Sequence, residues 1–266
     1  MMKEQLWNII SAVRQTSPLV HNITNYVVMN NTANALLAAG ASPVMAHAHS
    51  EMNDMVAIAG ALVVNIGTLD EYWVESMKLA AKQAKTLNKS WVLDPVGAGA
   101  TPYRNQVLEE LLTYSPVVIR GNGSEIMSLA KANIKTKGVD STNLSEEALE
   151  AAQQLSEDTG AVVCVSGATD YIVYKGNCIT LANGHALMAR VTGMGCTASA
   201  LIAACCAVNP AEPFVATTAA MALMGVAGEI AAEKASGPGS MQLYFLDALY
   251  QLSENKFTQR LKMDSK

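Results

Sequence analysis

A three-layer α/β sandwich, with a mostly parallel central sheet and an antiparallel edge, is the fold class this sequence predicts, and three observations carry it. Nearly continuous apolar runs of strand length recur along the chain, each closed by a polar or glycine-containing turn. Between them lie segments of helix formers with apolar residues at three- and four-residue spacing. A later pair of short runs flanks Lys175-Gly176-Asn177, the signature of a β-hairpin. Strands apolar on both faces belong in a parallel sheet covered on both sides, and connections of a dozen or more residues fit right-handed crossovers.

In chain order, Met1-Met2-Lys3-Glu4-Gln5 contains no apolar signal core. His21-Asn22-Ile23-Thr24-Asn25 precedes a helix, and the segment from Ala41 to His47 forms a short strand and its exit. Strands follow at 61–64, 91–93, 117–119 and 161–165, with helices at 70–88, 102–113, 122–131 and 145–158 between them. Residues 132–144 form the only plausible surface loop of any length, and no linker divides the chain. The hairpin strands 171–174 and 178–181 end the sheet with an antiparallel portion. From Cys196 to about Leu252 the chain is mostly helical and rich in Ala and Met, and part of the apolar surface of helices 196–208 and 212–235 is expected at a subunit interface. The expectation is one domain spanning 1–266, with no separate lid.

Composition removes several function classes. With 50% hydrophobic and 15% charged residues, the chain can bury a large core. A formal net charge of −5 and the lack of a Lys/Arg cluster argue against nucleic acid as a partner. No apolar run is long enough for a membrane span, so a cytoplasmic enzyme is expected. Five cysteines, at 164, 178, 196, 205 and 206, include no Cys-x-x-Cys pair, which disfavours disulfides and structural zinc. Cys164, Cys205 and Cys206 stand in apolar runs and read as small packing residues.

Ligands in doubly covered parallel sheets bind beyond the carboxyl ends of the strands, where Asn65, Asp94, Arg120 and Ser166 all fall. The most informative stretch is Val191-Thr192-Gly193-Met194-Gly195-Cys196, before a long apolar helical run. Its glycines let backbone approach a ligand, and the unpaired amides of a helix start favour an anion such as phosphate. The same field tends to lower a thiol's pKa from its free value of roughly 8.5 and so to increase the thiolate fraction of Cys196. Cys196 as a buried packing residue is the competing reading.

Pro95 holds Asp94 extended at its strand end, although an Asp there is more often a turn or cap residue. Arg120 offers a guanidinium suited to phosphate oxygens, and Glu125 a carboxylate that also fits helix capping. Two carboxylates and an arginine beside an anion-binding turn resemble a site for Mg²⁺ and a nucleotide polyphosphate. His21, Asn25 and Met45 can line a small pocket, part apolar and part hydrogen-bonding. Gly193-x-Gly195-x-x-Ala198 matches a dinucleotide fingerprint in letters, but its helix leads to another helix and not to an acidic strand end.

These residues carry a family resemblance. The segments His21 to Asn30, Gly40 to Met45, Val92-Leu93-Asp94-Pro95-Val96-Gly97, Arg120-Gly121-Asn122-x-Ser124-Glu125 and Val191-Thr192-Gly193-x-Gly195-Cys196 resemble, in order and spacing, the hydroxyethylthiazole kinases of the ribokinase-like superfamily. The resemblance covers about residues 16 to 250, and departs from the family at Asn31, where a bulky apolar residue is expected. It implies transfer of the γ-phosphoryl group of ATP to the primary hydroxyl of 4-methyl-5-(2-hydroxyethyl)thiazole, with Mg²⁺ required. It implies Gly193, Gly195 and Cys196 as catalytic, Asp94 and Glu125 as metal ligands, and Arg120, Asn122 and Ser166 as nucleotide contacts. Met45, Asn25, His21 and the backbone at Gly193 would hold the thiazole. Cys196 stands where related sugar kinases carry a proton-accepting aspartate, and is either a thiolate base or a group that positions the hydroxyl. A homotrimer with sites near subunit boundaries is also implied. A hydroxymethylpyrimidine-type kinase, a non-catalytic thiazole-binding protein and an ATP-dependent repair dehydratase are the alternatives.

Overall fold

The computed structural model describes residues 2–133 and 144–265. The chain runs α1 (Met2–Thr16), β1 (Leu19–Ile23), α2 (Met29–Ala39), β2 (Ser42–Val44), α3 (Met52–Ile58), β3 (Ala61–Asn65), α4 (Glu71–Thr86), β4 (Ser90–Asp94), α5 (Pro102–Leu112), β5 (Val118–Asn122) and α6 (Gly123–Asn133). It continues with α7 (Leu144–Thr159), β6 (Val162–Ser166), β7 (Asp170–Tyr174), β8 (Asn177–Leu181), α8 (Met194–Val208), α9 (Pro213–Ala232), α10 (Pro238–Gln251), α11 (Glu254–Arg260) and β9 (Met263–Ser265). Of the expected loop at 132–144, residues 134–143 lie outside the described residues, and its ends belong to α6 and α7.

The strands form one sheet in the order β2-β1-β3-β4-β5-β6-β7-β8-β9. Pairing is parallel from β2 to β6 and antiparallel from β6 to β9, as the apolar runs and the hairpin turn predict. After β1 the chain steps outward to β2, then returns past β1 to build the rest of the sheet from β3. That reversal makes a crevice beyond the carboxyl ends of β1 and β3, the preferred place for a ligand in such sheets.

Alternation along each strand sorts the core into two halves. Val63, Val92, Val118, Val162 and Cys164 face α1, α2 and α8 to α11, while Leu62, Val64, Trp91, Leu93, Ile119 and Val163 face α3 to α7. Helices α8 and α9 are the inner layer of the first half and are buried almost all round, which is why their Ala- and Met-rich sequences lack a polar face. Most of the apolar surface expected to serve an interface there is spent inside the chain. Helix α9 is long and apolar enough to cross a membrane, yet it packs among α1, α8, α10 and strands β6 to β8.

Strand β1 is a departure from the sequence reading, which has its residues only preceding a helix. His21 and Asn22 interrupt the apolar run, but both are buried: Asn22 Nδ2 donates to Val20 O (2.9 Å) and His21 Nε2 donates to Ala46 O (2.8 Å). Those bonds offset part of the burial of polar atoms, leaving His21 Nδ1 and Asn22 Oδ1 without a hydrogen-bond partner, and the segment pairs with β2 and β3.

Candidate active site

Sheet register brings the strand-end side chains together. Asn65 pairs with Asp94 across β3 and β4, and Asn122 with Ser166 across β5 and β6. Asn65, fully buried, is the hub. Its Nδ2 donates to Asp94 Oδ2 (2.7 Å) and to Cys196 Sγ (3.1 Å), while its Oδ1 accepts from Asn25 Nδ2 (2.9 Å) and from the Gly67 amide (3.0 Å). Asn25, just past β1, also donates to Cys196 Sγ at 3.4 Å. Gly67 allows this approach, since a Cβ there would sit 2.6 Å from Asn25 Nδ2. Ser199 Oγ donates to Asp94 Oδ2 (2.8 Å) from α8. Burial pushes the Asp94 carboxyl up, opposed by the Arg120 guanidinium and the bonds from Ser199 and Asn65.

The glycine turn opens α8 as predicted. Gly193 is its N-cap, with φ +87°, and a Cβ there would come within 2.9 Å of Val28 Cγ1. Its carbonyl accepts the Thr197 amide at 2.8 Å, which starts the helix. Gly195 lies against the Arg120 guanidinium: an added Cβ would fall 2.5 Å from Nη1. Arg120 Nη2 donates to Ser166 Oγ (2.5 Å), and the buried Nε has no hydrogen-bond partner. Strand ends β5 and β6 thus hold a guanidinium across the start of a fifteen-residue helix. The backbone amides of that helix start lack intrahelical partners, so positive charge gathers at one place.

The lowered thiol pKa expected at a helix start is corrected by this surrounding. Cys196 is half-buried, and burial, followed by the negative charge of Asp94, pushes its thiol up to about 11. The amides of Asn65 and Asn25 and the charge of Arg120 pull the other way and do not prevail. At neutral pH Cys196 is a thiol. Cys164, Cys205 and Cys206 are fully buried, as their apolar settings predict.

Glu125 and Asn122 cap α6 reciprocally. Asn122 Oδ1 accepts from the Glu125 amide (3.0 Å) and Ser124 Oγ (2.7 Å), while Glu125 Oε2 accepts the Asn122 amide (2.9 Å). Glu125 Oε1 accepts the Gly97 amide (3.0 Å) from the loop after β4, tying the two carboxylate-bearing loops together. Among the described residues no group of three His, Cys, Asp or Glu is gathered to hold a metal. Asp94 Oδ1 is buried without a hydrogen-bond partner, and each Glu125 oxygen accepts one backbone amide, which leaves it a further lone pair. Such a sparse, all-oxygen donor set fits a hard cation that retains water, and fits Mg²⁺ better than a metal needing a full protein cage.

The amino-terminal residues take unequal places. Asn25 is joined to Cys196, and Met45 follows the edge strand β2, half-buried. His21 is not brought to the surface. It lies fully buried beneath the exit of β2, its bond to the Ala46 carbonyl supporting the residue after Met45, and burial lowers its pKa and keeps it neutral.

The sequence profile of the hydroxyethylthiazole kinase family matches residues 10–255. The chain belongs to that family. It is 54% identical over 262 residues to a hydroxyethylthiazole kinase of Syntrophus aciditrophicus, covering 98% of this chain and 97% of that one. The same name is carried by a Vibrio campbellii relative, 53% identical with 99% of both chains covered. Among solved structures, a hydroxyethylthiazole kinase protein from Pyrococcus horikoshii OT3 superposes with a TM-score of 0.92 at 43% identity, over 99% of both chains. A ribokinase-like superfamily protein from Enterococcus faecalis, 14% identical with a TM-score of 0.65 over 89% of this chain and 87% of that one, shares the fold.

In this member of the hydroxyethylthiazole kinase family, sequence reasoning reached Asn65 only as one polar strand end among four and passed over Ser199. Ser199 lies three residues after Cys196 and four after Gly195 on a helix, so spacing alone puts it on the same face. A serine in an alanine-rich run carried no further signal.

Proposed function

We propose that the protein transfers the γ-phosphoryl group of ATP to the primary hydroxyl of 4-methyl-5-(2-hydroxyethyl)thiazole, a step of thiamine salvage. One observation carries the reading: the start of α8, with Gly195 bare under Arg120, stands beside Asp94 and Cys196 at the crevice where the sheet order reverses. Family membership supplies the substrate class.

Phosphoryl transfer asks a protein for positioning and charge neutralisation more than for covalent chemistry. The thiazole rests against Met45 and Asn25, near the Gly193 backbone, and His21 serves by fixing the Ala46 carbonyl. The alcohol oxygen attacks the γ-phosphorus as the bond to the β,γ-bridging oxygen breaks, and ADP leaves with that electron pair. Amides of Gly193, Gly195 and Cys196 take up charge on the transferring group, and Arg120, steadied by Ser166, contacts the phosphates. Asn122 acts on the nucleotide side through its cap of α6. Asp94 and Glu125 would hold Mg²⁺, which when bound neutralises phosphate oxygens.

Cys196 orients the attacking hydroxyl and does not serve as a thiolate base. Its sulfur already accepts two amide donors, and its proton is held at neutral pH. The alcohol proton then leaves to solvent water after transfer has begun, when the oxygen has become far more acidic.

Residues 1–266 work as one ribokinase-like kinase domain without a separate lid, in the cytoplasm, with neither nucleic acid nor membrane as partner. A homotrimer is favoured by exposed apolar side chains beside Asn25, namely Tyr26 (57% exposed) and Val27 (63%). ADP release tests the substrate assignment. Release that depends on the thiazole alcohol and not on a hydroxymethylpyrimidine supports it, and the reverse preference overturns it.

A further inference from the structure

Three backbone carbonyls converge on one guanidinium at the back of the site. Arg104, in the first turn of α5, donates from Nη1 to Ile66 O (2.5 Å) and Val96 O (2.8 Å), and from Nη2 to Gly67 O (2.9 Å). Ile66 and Gly67 directly follow Asn65 at the end of β3, and Val96 is two residues past Asp94 at the end of β4. The side chain is half-buried and, among the described residues, belongs to no ion pair. Its hydrogen bonds go to main chain, at positions where the sheet ladder has ended and carbonyls need new partners.

The rest of this turn is built around the same loop. Thr101 Oγ1 accepts the Arg104 amide (3.2 Å), and Asn105 Oδ1 accepts the Gly99 amide (2.9 Å). Gly97, with φ +72°, leaves its Cα side against the guanidinium, where an added Cβ would lie 3.5 Å from Arg104 Cδ. The Gly97 amide in turn donates to Glu125 Oε1. A planar fork reaching two loops at once is what a guanidinium provides and a single ammonium does not.

We infer that Arg104 is a positioning residue: by clamping the loops after β3 and β4 it sets the spacing of Asn65 and Asp94, and through Asn65 the seat of Cys196. Its kinetic consequence rests on the phosphoryl-transfer reading above; its effect on the Cys196 thiol does not.

The test compares Arg104→Met and Arg104→Lys with Arg14→Met in the full chain. Arg14 is a fair control because its guanidinium also ties main chain together, donating to Leu252 O (2.7 Å) and Leu249 O (2.9 Å) far from the site. Native-state alkylation reports on Cys196, since the other four cysteines are buried. For Arg104→Met the expectation is a fall in kcat of about tenfold or more, KM for both substrates moving less than about threefold, because misplaced groups cost alignment more than binding. Cys196 labels at least about threefold faster in the same variant, as displacement of Asn65 opens the half-buried seat of the thiol to the reagent. Arg104→Lys falls between, and carries the comparison should Arg104→Met not fold. Arg14→Met loses thermal stability with kcat and labelling within about twofold of the parent. Unchanged kcat and labelling in the Arg104 variants, or equal changes in Arg14→Met, overturn the inference. A parent protein without kinase activity strikes at the functional reading instead, and the labelling comparison still decides the role of Arg104.

Discussion

Cys196 receives amide N–H groups from Asn65 and Asn25 at a depth where burial outweighs the pull of those amides and of Arg120. A carboxylate at this position would accept the same two donors and could take the alcohol proton directly. Cys196→Asp is therefore expected to keep or raise kcat, measured at saturating substrates; a large loss would count against position 196 facing the alcohol. Gly195 gives a prediction of opposite sign for stability and activity. Gly195→Ala favours the helix by up to about 1 kcal/mol, yet its Cβ would fall 2.5 Å from Arg120 Nη1 and displace the guanidinium. Thermal unfolding should show little or no loss while kcat/KM for ATP drops by about tenfold or more; an unaffected kcat/KM would remove Arg120 from the phosphate site. The glycine pair and the cysteine were legible in the sequence because position at a helix start fixes their surroundings. The state of the thiol was not, since it depends on burial and on Asp94, a hundred residues away in the chain.

Each element contributes its end to the site, so what stops a strand or starts a helix matters as much as what fills the core. Asp70 caps α4 by accepting the Trp73 amide at 2.9 Å, and that helix covers β3 and β4 from outside the site. Asp70→Ala should cost about 1 kcal/mol in denaturant unfolding; no change would mean that the cap bond is absent in solution. Strands β3 to β6 and the β7–β8 hairpin were readable because their apolar runs stand out between turns. Strand β1 was not, because His21 and Asn22 look like surface residues until the carbonyls of Ala46 and Val20 are known to accept one hydrogen bond from each. Strand β9 is three residues long at the sheet edge, mostly polar, and gave no pattern to read.

At the scale of the whole molecule, the site exists because the sheet order reverses beside β1, and no local pattern announces that reversal. What could be read was the fold class, which follows from apolar periodicity, and the strand ends, which follow from the fold class. Their convergence on Asn65 needed the register. Burial of charge across the fold also leaves a pH signature. Asp170, at the start of β7, is raised to about 6 by burial, against the opposing Gly167 amide and Arg120. Its ordinary value is roughly 3.9, so between these limits the fold binds a proton that the unfolded chain does not. The stability this group contributes is full below the lower value and is lost as pH rises through about 6. Asp170→Asn should raise the melting temperature more at pH 7 than at about pH 4; an equal shift at both would contradict the burial account.

The central claim is that this fold delivers a phosphoryl group to an alcohol at the start of α8. Its most direct measurement is a quenched single turnover with ATP, Mg²⁺ and the thiazole alcohol, read by mass spectrometry. The expected result is one phosphorylated alcohol for each ADP formed, with no phosphate left on the protein. ADP without phosphorylated alcohol, or no ADP above the alcohol-free control, would contradict the claim.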